Sequence, residues 1–339
     1  MIKRGRGMAS FWYGIGKTGV PNPSTVRVGL YENGRICIHT GAADIGQGSS
    51  TVFAQIVAET LNLPLNVVDI ISGDTAITPD SGVTSATRHT FVTGKAAKMA
   101  AEELEKKILG AVGQLYSKQE CSFVCQDEDL RVRYGDTDLP ASDFYRECNV
   151  YGIQLVGEGT YSPPTEVLNG TSGQGAPYAT YAFGTQVAEV EIDTLTGVVK
   201  VIDLGAVHDV GKAINPVMAE GQIEGGCVMG IGFALYEDYD YAKIKRAFAD
   251  YIIPTSMDVP ELKSILVEDA EPEGPYGAKG LGEPPVVATA AAIGNAVADA
   301  LGVRIFSLPI TPEKILEAIN SPNSGDNPEE GERDENLSI

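Results

Sequence analysis

Two hairpin patterns, one in each half of the chain, most constrain how it can fold. Residues 25–31 alternate and pass through Glu32-Asn33-Gly34 into 35–40. Asn-Gly between two alternating runs is a strong hairpin signal. Residues 184–193 and 198–208 repeat the pattern around Thr194-Leu195-Thr196-Gly197. Each hairpin runs into a loop and each loop into a helix, over about 51–61 in the first half and 216–236 in the second. A strand at 67–71 and a long helix at 90–116 follow in the first half, with Gly94, Ala96, Ala97, Ala100 and Ala101 permitting close packing. The second half continues with a strand at 264–268, an alanine-rich helix at 286–301, and a last helix opened by Thr311-Pro312-Glu313, where Thr311 suits the cap and Pro312 the first turn. Short strands are expected at 122–125 and 130–134. Hairpins and helices interleave without regular βαβ repetition, which predicts an α+β fold of mixed-sheet and helix layers. The Gly/Ser/Thr/Pro-rich stretch 157–177 reads as a loop dividing two α+β subdomains, 1–165 and 166–320.

Charge and cysteine content narrow the function classes. The 339 residues are 43% hydrophobic, enough for a substantial core, and carry a net charge of −21. That balance argues against nucleic acid and anionic membrane surfaces as partners. Residues 321–339 hold six acids and one arginine, and this polar acidic tail is expected to be disordered. Cys37, Cys121, Cys125, Cys148 and Cys227 are irregularly spaced, fit no zinc or iron–sulfur pattern, and suggest a reduced, cytoplasmic protein. The basic start, Met1 to Gly7, lacks a following apolar region and does not read as a leader. No run approaches 18 consecutive apolar residues, so no membrane span is expected.

Three loops share a design. Gly46-Gln47-Gly48-Ser49, Gly82-Val83-Thr84-Ser85-Ala86-Thr87 and Lys279-Gly280-Leu281-Gly282-Glu283 are rich in Gly or hydroxyl residues, and each immediately precedes a helix. Such junctions expose main-chain N–H groups at a positive helix end, which suits an anionic cofactor, although turns and caps alone explain any one of them. None is a dinucleotide or phosphate-loop motif, which disfavours a nucleotide enzyme. Glu283 stands between two glycines and two prolines, with its direction constrained. It can serve as a positioned carboxylate, or merely complement the helix dipole. Gln47 can both donate and accept, or simply face solvent in a turn. Arg88 suits holding a loop or a phosphate, and His89 and His208 read as structural. Asp44, Asp74 and Asp209 lie in loops without metal-ligand spacing. No Ser-His-Asp arrangement or HExxH is present.

These stretches recur together in one order. Gly46-Gln47-Gly48 with Gln55-Ile56-Val57-Ala58-Glu59 is followed by Gly73-Asp74-Thr75 and the run from Pro79 to Arg88. Tyr181-Ala182-Phe183-Gly184-Thr185-Gln186-Val187, His208-Asp209-Val210-Gly211-Lys212-Ala213-Ile214-Asn215-Pro216 and Gly221-Gln222-Ile223-Glu224-Gly225-Gly226 come next. Gly280-Leu281-Gly282-Glu283-Pro284-Pro285 and Asn295-Ala296-Val297-Ala298-Asp299-Ala300 close the series. The combination, over roughly residues 4–319, resembles the C-terminal molybdenum-cofactor-binding half of the large subunit of the xanthine dehydrogenase/aldehyde oxidoreductase family of molybdenum hydroxylases. The region that normally precedes it, with a Gly-Gly-Phe-Gly stretch, is absent. The organisation is therefore similar to family members whose molybdenum subunit is split in two, as in the medium molybdopterin subunit of nicotinate dehydrogenases.

The resemblance implies a molybdenum–molybdopterin cofactor, in the cytosine dinucleotide form, with a sulfido or selenido ligand and no direct protein ligand to the metal. It implies that Glu283 is the general base and that Gln47 lies near the molybdenum oxo group. Gly46, Gly48, Thr84, Ser85, Ala86, Thr87, Lys279, Gly280, Leu281 and Gly282 are implied to contact the cofactor. The implied reaction is hydroxylation of an electron-poor carbon with water as oxygen source, on an N-heterocycle such as nicotinate or a purine. Aldehyde or carbon monoxide oxidation, or a non-catalytic cofactor-carrying scaffold, are the alternatives. Electrons must leave through iron–sulfur clusters and FAD, for which this chain has no ligands. The implied partners are thus a second molybdopterin-binding subunit, an iron–sulfur subunit and an FAD subunit.

Overall fold

The structure, a computed structural model, describes residues 1–16, 21–126, 129–239, 249 and 251–320; the acidic tail expected to be disordered lies outside them. The chain opens with β1 (Ile2–Gly14), then β2 (Ser24–Leu30), β3 (Ile36–Thr40), α1 (Ser49–Thr60) and β4 (Val68–Ser72). A π-turn at His89–Thr93 leads into α2 (Gly94–Tyr116). A small insertion follows, β5 (Ser122–Gln126), β6 (Asp129–Tyr134), β7 (Thr137–Pro140) and α3 (Ala141–Val150), before β8 (Val156–Tyr161). The second half comprises β9 (Tyr181–Asp193), β10 (Val199–Asp209), α4 (Pro216–Leu235), β11 (Glu261–Val267), α5 (Pro284–Val287), α6 (Thr289–Leu301) and α7 (Pro312–Asn320).

Two four-stranded sheets carry these elements, in the orders β8-β2-β3-β4 and β1-β9-β10-β11. They are built alike. In each the central hairpin is antiparallel, its second strand pairs in parallel with the strand beyond, and its first strand pairs antiparallel with an outer strand. The parallel pair requires a crossover, which α1 supplies in one sheet and α4 in the other. A second long helix, α2 or α6, then returns over the sheet. The molecule thus contains two copies of one hairpin–helix–strand–helix unit. They differ in where the outer strand comes from: β8 follows its unit in sequence, whereas β1 precedes its unit by the length of the first half. The N-terminal segment therefore crosses the expected 165/166 division, pairing with β9 from Ile2 opposite Asp193 to Gly14 opposite Tyr181.

Each unit buries its own core. The first lies between the β2–β3 sheet and α1 and α2 and extends to α3 on the β5–β7 insertion, around Val26, Ile38, Phe53, Val57, Leu104 and Phe144. The second lies between the β9–β10 sheet and α4 and α6, around Val190, Leu204, Ile223, Ile231, Ile293 and Val297. The outer strands approach their helices unusually closely. A Cβ at Gly157 or Gly159 of β8 would overlap main-chain atoms of α2 around Ala96, Ala100 and Leu104, and one at Gly5 or Gly7 of β1 would overlap α6 around Ala292 and Ala296.

Two expectations need correction. The run 157–177 is not all loop, because its first five residues belong to β8. Residues 286–301 do not form one helix: Ala288 separates a four-residue helical turn, α5, from α6. Glu283 therefore heads a single turn rather than the strong dipole of a long helix. Residues 284–301 are also apolar enough over 18 residues to match a membrane span by composition. Here Ala292, Ile293, Ala296 and Val297 pack into the second core.

Candidate active site

The loops that follow the equivalent strands of the two units converge on one cavity of about 400 Å³. The first unit supplies the loop after β3, with Ile45, Gly46 and Gln47, and the loop after β4, with Thr84, Ser85 and Thr87. The second supplies the loop after β10, with Val210, Lys212 and Asn215, and the loop after β11, with Lys279, Leu281, Gly282 and Glu283. Nine of the sequence-predicted residues line it. Gly48, Ala86 and Gly280 are not among the lining residues, and each contributes to how the loops are held. Gly48 lies under the Met218 methyl group of α4. Gly280 has no room for a Cβ beside the Thr87 carbonyl. Ala86 turns its N–H toward Glu283.

Glu283 is gripped from the opposite unit. The Ala86 N–H donates to its Oε1 at 3.1 Å, the Thr87 hydroxyl donates to its Oε2 at 3.4 Å, and the Glu283 N–H donates to Thr87 Oγ1 at 3.0 Å. The Tyr13 hydroxyl, at the end of β1, also donates to Oε2. The grip has a conformational cost. Ala86 and Thr87 both adopt left-handed backbone, with φ of 54° and 57°, which is rare for a β-branched residue and costs on the order of 1–3 kcal/mol per residue. The Ala86 carbonyl is held by the Gly16 N–H at 2.8 Å, so the strained loop is fixed on both sides.

Arg88 anchors the same loop. It is 1% exposed and donates to the carbonyls of Ser81, Val83, Asn22 and Pro23 at 2.5–3.5 Å, while its Nε has no partner. Burial lowers its pKa, opposed by nearby Asp80, yet a guanidinium stays charged in proteins. The cavity is thus backed by a cation whose direct partners are carbonyls rather than a carboxylate. His89 is fixed neutral: burial, then the neighbouring Arg88, lowers its pKa to about 4. Thr84 donates to the Ala43 carbonyl at 2.9 Å, so His89 Nε2, 2.8 Å away, carries the proton that Thr84 accepts; Nδ1 then accepts from Thr93 at 3.0 Å. The imidazole serves to aim Thr84.

Two predicted ligand residues are already engaged within the protein. Gln47 Oε1 accepts the Ile45 N–H at 2.7 Å, and its Nε2 donates to Ser49 Oγ at 3.0 Å and to the Ala43 carbonyl at 3.4 Å. The ammonium of Lys279, buried like its partner, pairs with Asp209 at 2.6 Å, and Asp209 also accepts the Gly211 N–H at 3.0 Å. Asp44 closes the loop that leads into α1, accepting the N–H groups of Gly46, Gly48 and Ser50. Burial would raise its pKa, but those bonds together outweigh it and hold the carboxyl low. The sequence reading missed Tyr13 and the loop after β10. The signal for that loop was its position, since it follows the second hairpin as the Gly46–Gly48 loop follows the first.

The lining fits an anionic, polar cofactor. It combines hydroxyls of Ser49 and Ser85, open space above Gly46, and the buried charge of Arg88. Lined in this way the cavity is a cradle for such a group; among the described residues no three His, Cys, Asp or Glu side chains converge.

Comparison with known proteins agrees with this cradle. A family model described as the molybdopterin cofactor-binding domain matches residues 1–260. The xanthine dehydrogenase molybdenum-binding subunit of Escherichia coli O157:H7 is 35% identical over 333 residues, covering 93% of this chain and 42% of that protein. The gamma subunit of the 6-hydroxypseudooxynicotine dehydrogenase complex of Paenarthrobacter nicotinovorans is 31% identical, covering 91% of this chain and 39% of that one. The crystal structure of aldehyde oxidoreductase from Desulfovibrio desulfuricans superposes with a TM-score of 0.80 at 31% identity, covering 94% of this chain and 32% of that one. The chain thus spans 32–42% of the length of these relatives. It belongs to the molybdenum hydroxylase family of xanthine dehydrogenases and aldehyde oxidoreductases, and within that family it is molybdopterin-binding.

Proposed function

We propose that this chain is the base-bearing, molybdopterin-binding part of a hydroxylase that inserts a water-derived oxygen at an electron-poor carbon of an N-heterocycle such as nicotinate or a purine. The observation that carries the reading is the held carboxylate of Glu283 at the cavity edge. A general base must stand within hydrogen-bond reach of the proton that it removes. A carboxylate has about four acceptor positions. Tyr13 and Thr87 occupy those of Oε2, and Ala86 occupies one on Oε1, leaving Oε1 one position for the transferred proton. When bound, the molybdenum cofactor supplies the redox centre at which substrate carbon is oxidised. Ser85 would hold it through its hydroxyl, and Thr84 and Thr87 through main chain, with Gly46 leaving the cavity wall open and Gln47 beside it. The cytosine dinucleotide form and a sulfido or selenido ligand complete the proposed cofactor.

The names of relatives that act on xanthine and on nicotine support the heterocycle reading, and an aldehyde oxidoreductase among them supports aldehydes as the second reading. A panel of both substrate classes distinguishes the two. Partners that carry iron–sulfur clusters, FAD and the rest of the molybdopterin site, in a cytoplasmic complex, belong to the same proposal. Glu283→Gln is expected to retain full molybdenum content while turnover falls by about three orders of magnitude, within the about 10²–10⁴-fold typical of a lost general base. Near-normal turnover in a metal-replete variant would refute the role.

A further inference from the structure

Beneath the turn that presents Glu283 lies a buried amide whose hydrogen bonds end on that turn and its support. Gln186, on the inward face of β9, is 0% exposed. Its Nε2 donates to the Pro285 carbonyl at 2.6 Å, and its Oε1 accepts the Thr289 hydroxyl at 2.5 Å. Nε2 also lies 3.2 Å from His208 Nε2. The Pro285 carbonyl can only accept, which fixes the amide with its NH₂ toward that carbonyl. His208 Nε2 must then accept as well, so the ring proton sits on Nδ1, which is buried without a partner. The cluster leaves one imidazole donor unpaired while it satisfies both amide hydrogens and the amide oxygen. On its other side the same turn rests on α4, where a Cβ at Gly226 would overlap Pro285 and one at Gly230 would overlap Thr289.

We propose that Gln186 is a positioning residue for Glu283, fixing the Pro284-Pro285 turn so that the carboxylate meets the Ala86–Thr87 grip from the other unit. The inference rests on the reading of Glu283 as base. α5 is only four residues long and ends at Val287, so it has little intrinsic rigidity, and the turn takes its direction from outside. A displacement of about 1 Å at a catalytic group can lower turnover about 100-fold.

The test uses the assembled, molybdenum-loaded enzyme containing this chain. Gln186→Met keeps size and burial but removes the bond to Pro285. Its kcat is expected to fall about 10–100-fold, with KM within about twofold and unchanged molybdenum and pterin content. In the cofactor-free protein, hydrogen exchange over residues 283–288 is expected to accelerate while the rest of the chain is unaltered. Gln186→Glu restores the donor only while its carboxyl is protonated, so it is expected to be active at low pH and to lose activity as pH rises, an alkaline limb that the parent lacks. Unchanged kcat and exchange in Gln186→Met, or a parental pH profile in Gln186→Glu, would overturn the proposal. If Gln186→Met fails to assemble, the Gln186→Glu profile decides. Should Glu283→Gln prove active, the base assignment fails, and exchange at 283–288 still reports separately whether Gln186 holds the turn.

Discussion

At the scale of single residues, the site is made by what two glycines do differently. Gly280 and Gly282 read alike in sequence, as freedom for a sharp turn near a ligand. In the structure Gly280 presses against the Thr87 carbonyl with no room for a Cβ, whereas a Cβ at Gly282 would find nothing closer than Thr87 Oγ1 at 3.9 Å. Gly280→Ala is therefore expected to push apart the loops that hold Glu283, costing about 1–3 kcal/mol as an overpacking change and most of the turnover. Gly282→Ala is expected to keep stability within about 0.5 kcal/mol. Denaturant midpoints and steady-state rates of the two variants check this, and equal behaviour would contradict the assigned contact. Glu283 itself was legible because prolines and glycines mark a constrained carboxylate. Its partners were not, because Tyr13, Ala86 and Thr87 come to it from 270, 197 and 196 positions away, and no local pattern encodes such distances.

At the scale of elements, the two hairpins and most helices were legible because alternation and helical spacing are local. The outer strands β1 and β8 were hidden for one shared reason. Two successive inward positions in each are glycines, Gly5 and Gly7 in one and Gly157 and Gly159 in the other. A helix backbone fills the space that apolar side chains normally occupy, so the alternation that signals a half-buried strand is absent although the strand is half buried. Helix α3 escaped notice because its buried face is only Ala141, Phe144 and Cys148. The same packing predicts an asymmetry between neighbours on one strand. Gly7→Ala or Gly159→Ala meets main-chain atoms that no rotamer change can clear, and should cost toward the upper end of the ~1–3 kcal/mol range for overpacking. Arg6→Ala, which loses an exposed ion pair with Glu189, should cost about 0–1 kcal/mol. Urea titration of the three variants ranks them, and an Arg6 variant weaker than the glycine variants would show that β1 does not ride on α6 as described.

At the scale of the molecule, the cavity sits where two like units face each other, and four equivalent loops close it. This explains why three junctions of one design recur in the sequence, and why a fourth was passed over: Val210 to Asn215 occupies the equivalent place with one glycine and no hydroxyl residue. The units are joined across the seam by polar contacts, including the Asn215 amide on Gln55 at 3.2 Å and the Glu283 grip. Beside this seam lie the two buried imidazoles. Burial lowers both His89 and His208 to about 4 from an ordinary 6.5, with the Arg88 charge adding to the effect at His89. The sign follows from proton uptake. Between pH 6.5 and about 4 the unfolded chain binds protons at these positions and the folded chain does not, so stability falls as pH falls through that window and levels off below it. At 1.36 kcal/mol per pKa unit, each imidazole removes roughly 3 kcal/mol over the full window. Carboxylates held low, such as Asp44 and Asp69, act only at the acid end, below their ordinary value of 3.8. Melting temperature measured from pH 7.5 to 5 is therefore expected to fall on the acid side of 6.5 in the parent protein, and to flatten in a His89→Gln, His208→Met double variant. An identical slope in that variant would assign the acid response to His39, whose pKa burial also lowers, or to the surface charge of this −21 chain, which added salt screens, rather than to the two buried rings.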